Sequence, residues 1–212
     1  MRSGREKLAW LISAAALVAV AIFSTLILTS PSPPQPSTTS SSSTSPTTVV
    51  TQPNPADPGP ARSRPVSLSV PTIGIAVPIG LLGLEPNGTV MVPNTAAEVG
   101  WFKLGPTPGQ LGASVLLGHV DSSSGIGVFF WLKRLSPGST INVGLANGVD
   151  LTFTVTRVAQ FAKTAFPRRL VYTSPGTRSL NLVTCGGVFN QATGSYESNV
   201  VVFSQLTKVT PS

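Results

Sequence analysis

The chain is short of reactive side chains: among 212 residues it has one cysteine, one histidine and seven acids. A lone cysteine excludes an internal disulfide, so Cys185 is inert in a core, bridges two chains, or reacts. No cluster of acids forms an oxygen-rich cation site, and nothing in the residues implies a metal or any other cofactor. Sustained helical periodicity is missing apart from a turn or two around "VFFWLKRL", and there is no internal repeat. The net charge of +7 invites a nucleic-acid reading. Residues 67 to 212 hold only nine bases against five acids, with no aromatic-interleaved basic stripe, which excludes that partner.

One long uncharged run is present, residues 8–29, "LAWLISAAALVAVAIFSTLILT". At about 1.5 Å per helical residue it is long enough to cross a bilayer core. Arg2, Arg5 and Lys7 precede it in the basic tail 1–7, which predicts a cytoplasmic N-terminus and everything after residue 29 outside the cell membrane. A cleaved signal peptide competes, but its apolar stretch is shorter and closes on an A-x-A-like site, whereas this one ends "LILTSPSPP". Residues 30–66 follow, rich in Ser, Thr and Pro, with too little apolar surface to offset the entropy of ordering. They read as an extended linker; a glycosylated stalk has the same mechanical consequence.

Residues 67–209 are of a size to bury a single core, and their pattern is β throughout. In "TINVGLANGVDLTFTV" Asn147-Gly148 separates two alternating runs, a strong hairpin signal, because both residues tolerate positive φ. "LEPNGTVMV" repeats the device at Asn87-Gly88. "ASVLLGH" and "NVVVFSQL" are nearly continuous apolar runs, as expected of strands buried on both faces. Short strands joined by Gly/Pro turns fit a closed barrel or a sandwich. Between Asp150 and Glu197 lie five bases (Arg157, Lys163, Arg168, Arg169, Arg178) and no acid. That interval is either a solvated face or a positive field around Cys185.

His119 ends one apolar run and opens the loop "VDSSSGIG", and Cys185 ends another just before two glycines. The pair suits acyl transfer. A thiol of ordinary pKa, about 8.5, is mostly protonated near neutrality, and the thiolate is the nucleophile. An imidazole takes the thiol proton and then delivers one to the leaving amine, while a backbone N–H or an Arg polarises the carbonyl.

The blocks "VGWF" (99–102), "PTPGQLGASVLLGHVDS" (106–122), "GVFFWLKRLSPGSTINV" (127–143), "LNLVTCGGVFN" (180–190) and "TGSYESNVVVF" (193–203) resemble, in order and spacing, the sortases. These are cysteine transpeptidases of Gram-positive cell surfaces, and the likeness is greatest to the class F type of actinobacteria. The resemblance implies an all-β closed barrel of about eight strands. It implies that Cys185 attacks the Thr–Gly bond of an L-P-x-T-G-like sorting signal on a secreted protein, giving a thioester that a peptidoglycan or lipid-linked precursor amine resolves. His119 and Cys185 take the catalytic roles, and the substrate-binding candidates are Thr184 of the L-x-T-C core, Asn199 and Arg169. The family's third catalytic residue is an Arg on the strand after the Cys, where this chain has Asn199 and no Arg from Cys185 onward. Arg178 is the first candidate for that role, followed by Arg169, Arg168 and the neutral amide of Asn199.

Three other readings compete. L,D-transpeptidases show S-x-G-C rather than T-C-G-G, and NlpC/P60-type peptidases place Cys before His. A non-enzymatic surface module on a sortase-like fold has only the missing Arg in its favour. A structural domain cross-linked between chains through Cys185 is the third.

Overall fold

The local turn signals are realised first. Gly148 adopts φ +84° and its N–H donates to Leu145 O, closing the hairpin between β7 (Thr140–Leu145) and β8 (Asp150–Ala162). Gly88 adopts φ +80° in a smaller turn whose arms meet at a Leu84–Val90 bridge. The computed structural model describes residues 59–211. The basic tail, the candidate span 8–29 and the linker up to residue 58 lie outside the described residues.

Around these turns the chain forms β1 (Pro65–Val70), β2 (Ile75–Leu82), β3 (Val99–Phe102), β4 (Gly112–Gly118), β9 (Arg178–Asn190) and β10 (Ser195–Thr210). A small hairpin, β5 (Asp121–Ser122) with β6 (Gly125–Ile126), and one five-residue helix, α1 (Arg168–Tyr172), complete the regular structure. The large sheet is a closed barrel of eight strands in the order β1-β2-β3-β4-β9-β10-β8-β7, with β7 pairing back onto β1. Closure removes the exposed edges that an open sheet leaves. The barrel implied by the resemblance is therefore the one formed, and the sandwich is not. β1 begins at Pro65, two residues before the expected start of the domain at 67.

Two neighbours are parallel, β2 with β3 and β4 with β9, which no local turn signal announces. Parallel strands need long connections, and the one from β4 to β9 contains β5 to β8 and α1. "VFFWLKRL" supplies a single 3₁₀ turn, Leu132–Arg134, consistent with the turn or two expected there.

Alternation along the strands creates two cores. Leu116, Leu180, Leu182, Val200 and Val202 point into the barrel with Phe129, Phe153 and Ile141, all nearly inaccessible. Val115, Leu117, Val183, Val201 and Phe203 point outward and pack beneath Val171 of α1, with Phe161, Phe166, Tyr172 and Met91 at the margin. β4 and the middle of β10 are thus buried on both faces, as their apolar runs predict, and the first half of β9 is as well.

Candidate active site

The parallel register of β4 and β9 brings the two chemical residues together. Val115 pairs with Asn181, Leu116 with Leu182 and Leu117 with Val183. Continued by two residues, that register carries His119 level with Cys185, on strands roughly 4.8 Å apart. Cys185 shares Val183's parity and so lies on the outer face, where it is half-buried. Both residues line one open cleft of about 630 Å³, with Val120, Asp121, Ser122, Ser123, Phe189, Gly194, Ser195 and Tyr196.

His119 is held from two sides. Its ring Nε2 lies 2.7 Å from Pro93 O. A carbonyl oxygen only accepts, so Nε2 carries the hydrogen and Nδ1 is the nitrogen left for proton transfer. Behind it, Gly127 N donates to Val120 O at 2.8 Å and Phe129 N to His119 O at 3.0 Å, so the chain after the β5-β6 hairpin grips the His119 backbone. Gly127 is required there: a Cβ at that position would meet His119 O at 2.4 Å and its carbonyl carbon at 2.7 Å.

On the other side of Cys185, Asn199 of β10 is its direct cross-strand partner. Such pairs bring Cβ atoms to about 5 Å on one face. Asn199's side chain has no hydrogen-bond partner among the described residues, so its amide is a donor available to a ligand at Cys185. A bulge between Tyr196 and Ser198 shifts the register at the start of β10, where Ser195 and Tyr196 line the cleft. There Tyr196 Oη donates to Asp121 Oδ2, bracing the start of β10 against the loop after His119. That bond, followed by burial and the charges of Asp121 and Cys185, raises Tyr196 above the usual tyrosine range, so the phenol stays protonated as a donor.

The other sequence candidates lie elsewhere. Arg178 is the first residue of β9, seven residues or about 23 Å from Cys185 at strand rise. Its guanidinium is buried, donates to Gly109 O at 2.7 Å and lies against Gly59. The expectation that it provides the charged donor is corrected by that position. Thr184 points into the barrel, the face opposite Cys185's, and its buried Oγ1 has no partner among the described residues. It supports the strand from inside rather than contacting a peptide on the outer face. Arg168 and Arg169 are exposed on α1, lining a separate surface hollow with Pro167, Leu170 and Thr173. Arg157 stacks its guanidinium on Phe203, 4.3 Å from the ring centre. The five bases of the acid-free interval thus do not gather around Cys185. Lys163 is the one that donates to the cleft wall, 2.7 Å to Ser195 Oγ.

Sequence reasoning did not single out Pro93, Asp121, Gly127 or Tyr196. Asp121, Gly127 and Tyr196 fall within recognised blocks and were legible in principle. Pro93 acts through a backbone carbonyl, which no side-chain pattern reveals.

Known proteins share the fold that carries this cleft. Residues 68–207 match the family model described as the Sortase domain. No curated protein matches the chain in sequence. In structure it is similar to sortase C-1 from Actinomyces oris, with 20% identity and TM-score 0.52 over 68% of this chain and 73% of that one. It is also similar to sortase A from Listeria monocytogenes, with 17% identity and TM-score 0.53 over 68% of this chain and 87% of that one. Sortase A from Corynebacterium diphtheriae aligns at 18% identity and TM-score 0.51, over 71% and 63%. At such identities the structural likeness speaks for the eight-stranded barrel, and the family match over about two thirds of the chain for the lineage. The chain belongs to the sortase family of cysteine transpeptidases.

Proposed function

We propose that this sortase cleaves an L-P-x-T-G-like signal near the C-terminus of secreted proteins through a thioester on Cys185, then transfers the acyl group to a cell-wall amine. The observation that carries the reading is the register of β4 on β9, with His119 and Cys185 at one level in one open cleft. His119 Nδ1 takes the Cys185 proton, and the thiolate adds to the carbonyl carbon of the scissile bond. Asn199 donates its amide N–H to the developing oxyanion. The imidazolium then returns a proton to the leaving amine, the C–N bond breaks, and the thioester remains. The class F assignment rests on the sequence blocks. The outward location rests on the uncharged run 8–29 with bases before it.

The test is incubation of the enzyme with a library of sorting-signal peptides and an amine acceptor, with products and the Cys185 adduct read by mass spectrometry. Cleavage between Thr and Gly with a thioester of matching mass is expected from the native enzyme, and neither from Cys185→Ala. That truncation at a cleft edge leaves little cavity, so the barrel survives it. Cleavage retained by Cys185→Ala would overturn the proposal.

A further inference from the structure

Cys185 stands between two unlike surfaces. On one side runs the apolar row Leu117, Val183 and Val201, packed under Phe161, Phe166 and Met91. On the other lies the cleft, where the apolar side chains of Val120 and Phe189 are interspersed with the hydroxyls of Ser122, Ser195 and Tyr196 and the carboxylate of Asp121. An acceptor amine exists near neutrality mainly as an ammonium, since an α-amino group has a pKa of about 7.7–8.0. The apolar row offers that charge nothing. The cleft offers it an anion two residues from the general base.

Asp121 is built for such a contact. Its Oδ2 accepts from Tyr196 Oη, which fixes the carboxylate against β10. Among the described residues no Lys or Arg pairs with it, and a carboxylate has about four acceptor positions, so capacity remains for a second donor. Tyr196 lies within electrostatic reach of both Asp121 and Cys185, so the anion and the nucleophile address the same part of the cleft. Lys163, the neighbouring cation, turns its ammonium onto Ser195 Oγ.

We propose that Asp121 is the anchoring group of the acceptor subsite, holding the ammonium of a primary-amine acceptor beside the Cys185 thioester. This rests on the transpeptidase reading above. The bound ammonium loses one proton to water, and the free amine adds to the thioester carbonyl. Its second proton passes to His119 Nδ1, the C–S bond breaks, and the products are an amide, a Cys185 thiolate and a His119 imidazolium. Asp121 neither gives nor takes a proton; it raises the local concentration of the charged acceptor and orients it.

The experiment compares two nucleophiles, a glycyl peptide that is mostly an ammonium at neutral pH and hydroxylamine, which is mostly uncharged there. The readout is the ratio of ligated to hydrolysed product at subsaturating nucleophile, which partitions one common thioester and is independent of how fast it forms. Asp121→Asn keeps an oxygen for Tyr196 and removes only the charge. Its ratio is expected to fall at least tenfold more for the glycyl amine than for hydroxylamine. In the native enzyme, added salt should raise the glycyl KM and leave that of hydroxylamine nearly constant, a measurement that needs no variant to fold. Equal losses for both nucleophiles would show that Asp121 only braces the His119 loop, and no loss for either would show that the ammonium binds elsewhere; each overturns the inference. Absence of any Cys185 thioester in the native enzyme would instead defeat the transpeptidase reading, and this inference with it.

Discussion

Pro93 O, 2.7 Å from His119 Nε2, assigns the work of proton transfer to Nδ1. Because the chain has one histidine, its imidazole signals need no assignment. Nitrogen NMR above the imidazole pKa should show Nε2 protonated and Nδ1 bare; the opposite pattern would detach the ring from Pro93. His119→Ala should lose about 10²- to 10⁴-fold in turnover with the barrel intact. At the same scale the oxyanion donor proposed above, Asn199, is a neutral amide chosen by its position rather than by charge. Asn199 faces Cys185 across the ladder, so Asn199→Ala should lower kcat at least tenfold, about 1.4 kcal/mol of transition-state stabilisation. Arg178→Ala should act on stability instead, because it orphans Gly109 O at the far end of β9, a cost of about 1–3 kcal/mol visible as a lower Tm. Arg157, exposed on Phe203, serves as the neutral control for turnover. A kcat loss in Arg178→Ala beyond its loss of folded fraction would restore the arginine hypothesis.

Among the elements, the active site is a property of the β4–β9 register and of the segment that returns behind His119. What was legible in the sequence follows from this. The Asn-Gly hairpins were readable because positive φ is a local demand, and β4 and β10 because continuous apolar runs mark strands covered on both faces. The parallel adjacency of β4 and β9 was not readable, since it is made by closure of the barrel and no residue in either strand encodes it locally. His119 and Cys185 were found by chemistry and resemblance, whereas Arg178 was chosen for its nearness along the chain. Seven residues of strand turn that nearness into most of the length of β9. Gly127 tests the returning segment. With Ala there, the new methyl meets the His119 carbonyl, which is backbone and cannot swing aside. Gly127→Ala should therefore shift the His119 loop and cut kcat at least tenfold, while circular dichroism reports an unchanged β signature. Full activity in that variant would mean the loop yields without moving the ring.

For the whole molecule, the described chain enters the barrel beside the start of β9. Gly59 lies against the Arg178 guanidinium, and Pro60 O accepts from Gln110 Nε2 at 2.6 Å. Both contacts are at the end of β9 remote from Cys185, about 23 Å of strand from the nucleophile. The outward location proposed above rests on the charge asymmetry around residues 8–29, three bases and one acid before the run and none within it. Cys185 is the sole thiol of the chain and is half-buried at a cleft edge, so labelling reports on this one position. A membrane-impermeant maleimide applied to wall-stripped cells should modify the native protein before lysis. Cys185→Ala should give no signal under any condition, and native protein labelled only after lysis would place the barrel on the cytoplasmic side.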